Sequence, residues 1–236
     1  MPTLLLVRHG RTTANTGGVL AGRSEGVELD DEGRRQAESL AARLADLPVA
    51  VIVTSPQIRC QQTAAAIAGT GGTKRRPRPL PVVDESFAEC DYGAWTGRPL
   101  KELAREPLWR VVQAHPSAAA FPEGESLRTM QNRAVDAVRR HDEKVSAEHG
   151  PDAVWVAVSH GDVIKSVLAD ALAMHLDSFQ RLVVDPCSVS VVRYTPLRQF
   201  VLRTNDSGGA VDSLLPPRRR SRRRPTSDAV VGGGAG

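Results

Sequence analysis

The chain predicts an α/β domain, with helices on both faces of a mainly parallel sheet, and three observations carry that expectation. Short apolar runs of strand length alternate with segments of helical period along most of the sequence. Leu, Val and Ala dominate the apolar set while Phe, Trp and Tyr together make up 4%, a balance suited to parallel strands under stacked helices. Two of the apolar runs, residues 3–7 and 153–158, end alike, one in Arg8-His9-Gly10 and the other in Ser159-His160-Gly161. Ligands of open parallel sheets bind outside the carboxyl ends of the strands, so chemistry is expected at those two endings.

Residues 3–7 form the first strand, followed by a polar, Gly-containing stretch over 12–28. A helix is expected from about Asp30, with Ala37, Leu40, Ala41, Leu44 and Leu47 at helical spacing. Residues 49–54 are a β-branched run that predicts a buried parallel strand. Ser55 is then expected to cap a helix with Pro56 at its first position, Arg59 in its first turn and an end near Gly69. Residues 71–79 are a basic Gly/Pro-rich loop, 80–83 a strand, and 87–97 an irregular segment bearing aromatics. A helix over 99–115 is interrupted at Pro107. A long helix starts around residues 123–126 and runs to about His149, with Leu127, Met130, Ala134, Ala137, Val138 and Val145 inward. After the strand that leads to His160, residues 162–174 form a helix through Val163, Ile164, Val167 and Leu168. Residues 188–194 and 199–203 alternate as a closing pair of strands turned at Pro196. The domain is thus expected over 1–203, and 204–236, with Pro216-Pro217 and runs of Arg and Gly, is expected to be a disordered tail.

At 236 residues the chain can bury one sizeable core. Its formal charge of +4 misleads, because six arginines against three aspartates put +3 in the tail and leave the body at +1. No apolar stretch approaches the roughly 20 residues that cross a bilayer, and residues 4–7 run straight into charge, so neither a membrane span nor a cleaved leader is expected. Cys60, Cys90 and Cys187 are odd in number and widely spaced, which predicts neither a disulfide framework nor a zinc site and makes the cytoplasm the default location.

His9 is the expected nucleophile. Its imidazole, with a reference pKa of about 6.5, is largely neutral at pH 7, and nearby guanidinium charge favours that form further. Attack on a phosphate ester would give a phosphohistidine and divide one hydrolysis into two easier steps. Arg8 and Arg59 would hold the phosphate oxygens through paired, charge-assisted hydrogen bonds. A buried guanidinium straight after an apolar run is costly without an anionic partner. His160 would donate to the phosphoryl group from the side opposite His9, and Asn15 could add its amide to the same phosphate or simply form a turn. The leaving alkoxide needs a proton, and a carboxyl group part-buried in the aromatic segment suits that role. Spacing alone leaves Glu85, Glu89 and Asp91 as alternatives.

These residues together resemble the histidine phosphatase superfamily, the phosphoglycerate mutase-like group. Arg8-His9-Gly10-Arg11-Thr12 is similar to its RHG signature, and Asn15 to the asparagine that follows it. Residues 55–64, Ser-Pro-Gln-Ile-Arg-Cys-Gln-Gln-Thr-Ala, resemble its S-P-x-x-R-x-x-Q-T-A segment, and Glu89-Cys90-Asp91-Tyr92-Gly93 its acid motif. Gly124-Glu125-Ser126 and Val158-Ser159-His160-Gly161 complete the set in the usual order over about residues 1–203. The resemblance implies a three-layer α/β/α fold, His9 as phosphorylated nucleophile and Glu89 as proton donor. It further implies Arg8, Arg59 and His160 as the phosphate pocket with Asn15 in support, and no metal or organic cofactor. Gly10, Thr12, Ala21, Gly22, Arg23, Tyr92 and Gly161 become candidates for substrate contact, with Arg23 either a partner for an acidic group on the substrate or a solvated surface arginine.

Mutases of this group typically carry E-R-H-Y-G and a long insertion after it. Here Cys90-Asp91 replaces the basic pair and only a short segment separates Gly97 from Gly124. Without a closed lid, water should reach a phosphohistidine. The expectation is therefore a metal-independent phosphatase acting on a small phosphorylated metabolite. A phosphomutase is the alternative enzyme, and a protein that binds polyanions such as nucleic acid through its Arg tail is the non-enzymatic alternative. Substrate identity and oligomeric state are not encoded in any recognisable motif.

Overall fold

The computed structural model describes residues 2–72 and 77–208 and builds one six-stranded sheet in the order β3-β2-β4-β1-β5-β6. The strands are β1 (Thr3–Arg8), β2 (Val49–Thr54), β3 (Val82–Val83), β4 (Val154–Ser159), β5 (Val189–Tyr194) and β6 (Gln199–Asp206). The first four in chain order run parallel, while β5 lies antiparallel to β1 on one side and to β6 on the other. The helices are α1 (Thr13–Gly17), α2 (Asp31–Arg43), α3 (Ile58–Gly69), α4 (Leu100–Leu103), α5 (Pro107–Ala114), α6 (Leu127–His149) and α7 (Gly161–Ala171).

Period-two alternation in the strands divides the core in two. Leu5, Val7, Ile52, Val156 and Val158 point to the face covered by Ala37, Leu40 and Ala41 of α2 and by Cys60, Ala64 and Ile67 of α3. Leu4, Leu6, Val53, Trp155 and Ala157 point to the other face, under Met130, Ala134 and Val138 of α6 and Ile164, Val167 and Leu168 of α7. The result is the three-layer α/β arrangement expected from the sequence. Helix starts follow local chemistry. Asp30 accepts the Gly33 N–H at 2.7 Å ahead of α2, and Ser126 accepts the Thr129 N–H at 3.0 Å ahead of α6, caps worth about 1 kcal/mol each. Pro107 opens α5, where its missing N–H is harmless, which is why the 99–115 helix divides in two.

Four expectations need correction. The polar stretch 12–28 contains a short helix, α1, because Thr12 and Asn15 satisfy each other's backbone donors in a capping box. Ser55 does not cap the following helix: α3 begins at Ile58, and the Ser55 hydroxyl turns instead toward His160. The strand expected over 80–83 is reduced to Val82–Val83. The closing strand expected over 199–203 is longer, since β6 runs to Asp206 and pairs it with Val189. The rest of the expected tail, from 209 onward, and residues 73–76 of the basic loop lie outside the described residues.

Register brings the important strand ends together. Arg8 stands opposite Ser159 in the β1/β4 pair, and Thr54 opposite Val158 in the β2/β4 pair. Just beyond the ladder the His9 N–H donates to the Ser159 carbonyl at 3.0 Å and the Ser55 N–H to the Val158 carbonyl at 2.9 Å. Three chain segments far apart in sequence therefore leave the sheet at one level. Among the described residues no helix is long and apolar enough to cross a membrane.

Candidate active site

A cavity at this carboxyl edge is walled by His9, Asn15, Arg59 and Glu89, with Thr12, Ala21, Gly22 and several apolar side chains around its mouth. The imidazole of His9 is held by its own chain. Nδ1 lies 2.7 Å from the Gly10 carbonyl oxygen, so that nitrogen carries the hydrogen and donates it, and the lone pair sits on Nε2. Burial, followed by the charges of Arg59 and Arg8, pushes the His9 pKa well below the ordinary imidazole value. The ring is thus a neutral base with a free in-plane nitrogen. Gly10 provides the close approach behind it: a β-carbon there would lie 2.5 Å from the Gly33 carbonyl oxygen.

Arg8 and Arg59 are 1% and 2% exposed, yet neither guanidinium is fully paired. Arg8 Nη1 donates to the Val184 carbonyl at 2.6 Å, whereas its Nε and Nη2 have no partner among the described residues. Arg59 Nη2 donates to the Gly22 carbonyl at 2.7 Å, whereas its Nη1 has none. Buried cationic donors left unpaired are expensive, and three of them on two arginines whose charges act on His9 fit an anion, although only Arg59 is part of the cavity wall. Asn15 adds to this. Its Oδ1 accepts the Thr12 N–H at 3.0 Å and the Thr12 hydroxyl at 2.9 Å, which leaves the amide N–H groups for the cavity it lines.

His160 meets His9 edge-on, with ring centroids 5.2 Å apart. Arg59 Nη2 can only donate, and it lies 3.2 Å from His160 Nδ1, so that nitrogen accepts. Nε2 then carries the hydrogen, facing Ser55 Oγ at 2.7 Å and Gln57 Oε1 at 3.0 Å. Gln57 Oε1 also accepts the Ser55 hydroxyl at 2.6 Å and the Glu89 N–H at 3.2 Å. A backbone N–H can only donate, which fixes the orientation of the amide. In this arrangement His160 bears on the cavity through Arg59, and the hydrogen expected from it toward a phosphate is not yet presented.

Glu89 is 4% exposed, and its Oε2 lies 3.7 Å from His160 Nδ1 while its Oε1 accepts the Cys90 N–H at 3.0 Å. Burial, then the nearby Asp162 charge, push its pKa up to about 7 against the opposing pull of Arg59 and Arg8. A carboxyl group that holds its proton near neutrality beside a neutral imidazole can act as an acid and then as a base.

Several expected contacts fall elsewhere. Arg23 is outside the cavity wall: its Nε donates to the Glu89 carbonyl at 2.9 Å, its Nη2 pairs with Glu125 at 3.1 Å, and its Nη1 is 3.7 Å from Asp91. Tyr92 is buried and donates its hydroxyl to Asp162 at 2.9 Å. Gly161 is buried in the first turn of α7. Sequence reasoning missed Gln57 and Arg133. Arg133 grips both oxygens of Glu125, at 2.6 and 3.0 Å, and donates to the Glu89 carbonyl at 3.1 Å. Its position eight residues past Glu125, on the buried side of α6, was the one available signal. Among the described residues no group of three or more His, Cys, Asp and Glu is placed to hold a metal ion.

A neutral imidazole facing unpaired buried arginines at the carboxyl edge of a parallel sheet defines a class, that of α/β proteins that handle a small anion. Comparison with known proteins narrows it. A sequence profile of the Histidine phosphatase superfamily (branch 1) matches residues 4–207, and the chain belongs to that family. Phosphoserine phosphatase 1 of Hydrogenobacter thermophilus is 31% identical over 212 residues, which cover 87% of this chain and 92% of that protein. A probable phosphoglycerate mutase GpmB of Yersinia enterocolitica is 31% identical over 196 residues, 82% of this chain and 86% of the other. The solved structure of Bacillus stearothermophilus YhfR superposes with a TM-score of 0.76 at 27% identity, covering 87% of this chain and 98% of that one. The relatives thus include a protein named as a phosphatase and one named as a mutase.

Proposed function

We propose that this protein is a metal-independent phosphatase that hydrolyses a small phosphate monoester through a phosphohistidine on His9. The observation that carries the reading is the free Nε2 of His9 beside three buried guanidinium N–H groups with no partner. The ester's phosphoryl group accepts those donors together with the Asn15 amide, which places phosphorus in line with Nε2. The Nε2–P bond forms as the P–O bond to the organic group breaks, and Glu89 passes its proton to the departing oxygen. A dianion against Arg59 also favours the protonated form of His160, so Nδ1 changes from acceptor to donor as charge accumulates. In the second half, Glu89, now a carboxylate, takes a proton from water whose oxygen bonds to phosphorus while the P–N bond breaks. Inorganic phosphate leaves and the resting protonation states return.

The phosphatase reading is preferred to transfer to a second hydroxyl because the segment between Gly97 and Gly124 is short, holding α4, α5 and a short turn, and water then reaches the phosphoenzyme. The test is the His9→Ala variant, assayed with EDTA present for phosphate release and for acid-labile phosphate on the enzyme. Both should vanish; continued turnover would overturn the mechanism. Appearance of phosphate on a second metabolite instead of in water would reassign the protein as a mutase.

A further inference from the structure

The cavity around His9 says something about the other end of the substrate, provided the phosphatase reading above holds. Beyond the phosphate-facing groups, its wall consists of Ala14, Val19, Leu20, Ala21 and Leu100 with the Gly22 backbone. Among the described residues its only charged side chains are Arg59 and Glu89, and both are already assigned to the phosphoryl group and the leaving oxygen. Among the described residues, three cations of the flanking loops have acidic partners. Arg23, still part-exposed, pairs with Glu125 and donates to the Glu89 carbonyl, with Asp91 3.7 Å away. Arg11 is bound to Asp30 at 2.8 Å, and Arg98 to Glu106 at 2.8 Å. Lys101, next to Leu100, is exposed and outside the wall.

We infer that the site selects phosphate monoesters whose organic part is uncharged and discriminates against esters that carry a carboxylate. A carboxylate at this wall would surrender its hydration and meet alkyl side chains, with the one cation of the lining, Arg59, already given to the phosphoryl group. Recruiting Arg23 would strip Glu125 of one of its two arginines and release the Glu89 carbonyl, so that cation answers only at the loss of those contacts. A neutral alcohol with a short carbon skeleton needs no such partner and buries apolar surface against Val19, Leu20 and Leu100.

The experiment compares glycerol 3-phosphate with 3-phosphoglycerate, which share a three-carbon skeleton and differ in a hydroxymethyl against a carboxylate. The neutral ester should show a kcat/KM at least tenfold higher. Leu100→Arg, which supplies the missing cation, should move the ratio of the two toward the acid by about tenfold. Equal or faster hydrolysis of 3-phosphoglycerate by the unaltered protein would overturn the selectivity. Binding of both esters to His9→Ala, followed by calorimetry, repeats the comparison without turnover. A protein that binds the neutral ester more tightly but hydrolyses neither would overturn the phosphatase reading and retain the selectivity, whereas equal binding would overturn the selectivity alone.

Discussion

The ends of β1 and β4 are written almost alike, each a parallel strand running into His-Gly, yet they hold their imidazoles in opposite ways. His9 donates Nδ1–H to the carbonyl of the very next residue and keeps Nε2 free. His160 has both nitrogens engaged, Nδ1 by Arg59 and Nε2 by Ser55 and Gln57. The difference arises from what each ring faces. His9 faces the cavity that Arg59 lines, while His160 faces the turn that leads into α3. A shared sequence pattern sets where an imidazole stands, and its neighbours set which nitrogen is available for work.

The largest test of that contrast is the pair His9→Ala and His160→Ala. Loss of the nucleophile should cost about 10⁴-fold or more in kcat and remove the phosphoenzyme. Loss of His160 should cost about 10²–10³-fold, as for a single stabilising donor, and leave labelled enzyme detectable after a quench in alkali. Equal losses with no label in either variant would merge the two roles.

Glu89→Gln comes next, with an expected loss of about 10²–10⁴-fold toward alkyl phosphates. Because Glu89 titrates at about 7 and acts in its protonated form, kcat/KM should hold on the acid side and decline as pH rises through about 7. The acid limb belongs to His9 and should lie below the ordinary imidazole range, since its pKa is depressed. In the variant the decline above 7 should disappear, and the deficit should shrink toward p-nitrophenyl phosphate, whose leaving group needs no proton. A wild-type profile still rising at pH 8 would remove Glu89 from the role.

The smallest expected effect is at Gln57, whose oxygen gathers three donors. Gln57→Leu should lower kcat by about tenfold with KM nearly unchanged, and cost about 1–3 kcal/mol of stability from the donors left behind. Chemical denaturation with parallel kinetics measures both. A large change in KM would place Gln57 in substrate binding instead.

The fold and the groups proposed to face phosphate could be read along the chain because they are local. Strand runs, a capping Asp30, the N1 Pro107 and the His-Gly endings each declare themselves within a few residues. The acid could not be chosen from Glu85, Glu89 and Asp91 by spacing. What singles out Glu89 is its burial and its nearness to His160, contacts 71 positions apart in the chain. Ser55 was misread for the same reason. A serine before a proline is an ordinary helix opening, and only the arrival of β4 beside β2 gives its hydroxyl a better partner. Arg23 shows the same limit: its loop position is legible, but its pairing with Glu125, 102 positions further along the chain, is not.

The last strand reaches further into the chemistry than its remote position suggests. Asn205 accepts the Asp185 N–H at 2.6 Å and donates its amide to the Asp185 carboxylate at 2.8 Å, and the carbonyl of the adjoining Val184 is the one that Arg8 holds. A chain shortened at 203 keeps every residue of the reaction and most of the sheet, but it frees the clasp that fastens the 184–188 crossing. The guanidinium behind the nucleophile would then lose its anchor, and catalysis would fade in a protein that still looks folded. Trimming after Gly208 leaves the clasp shut.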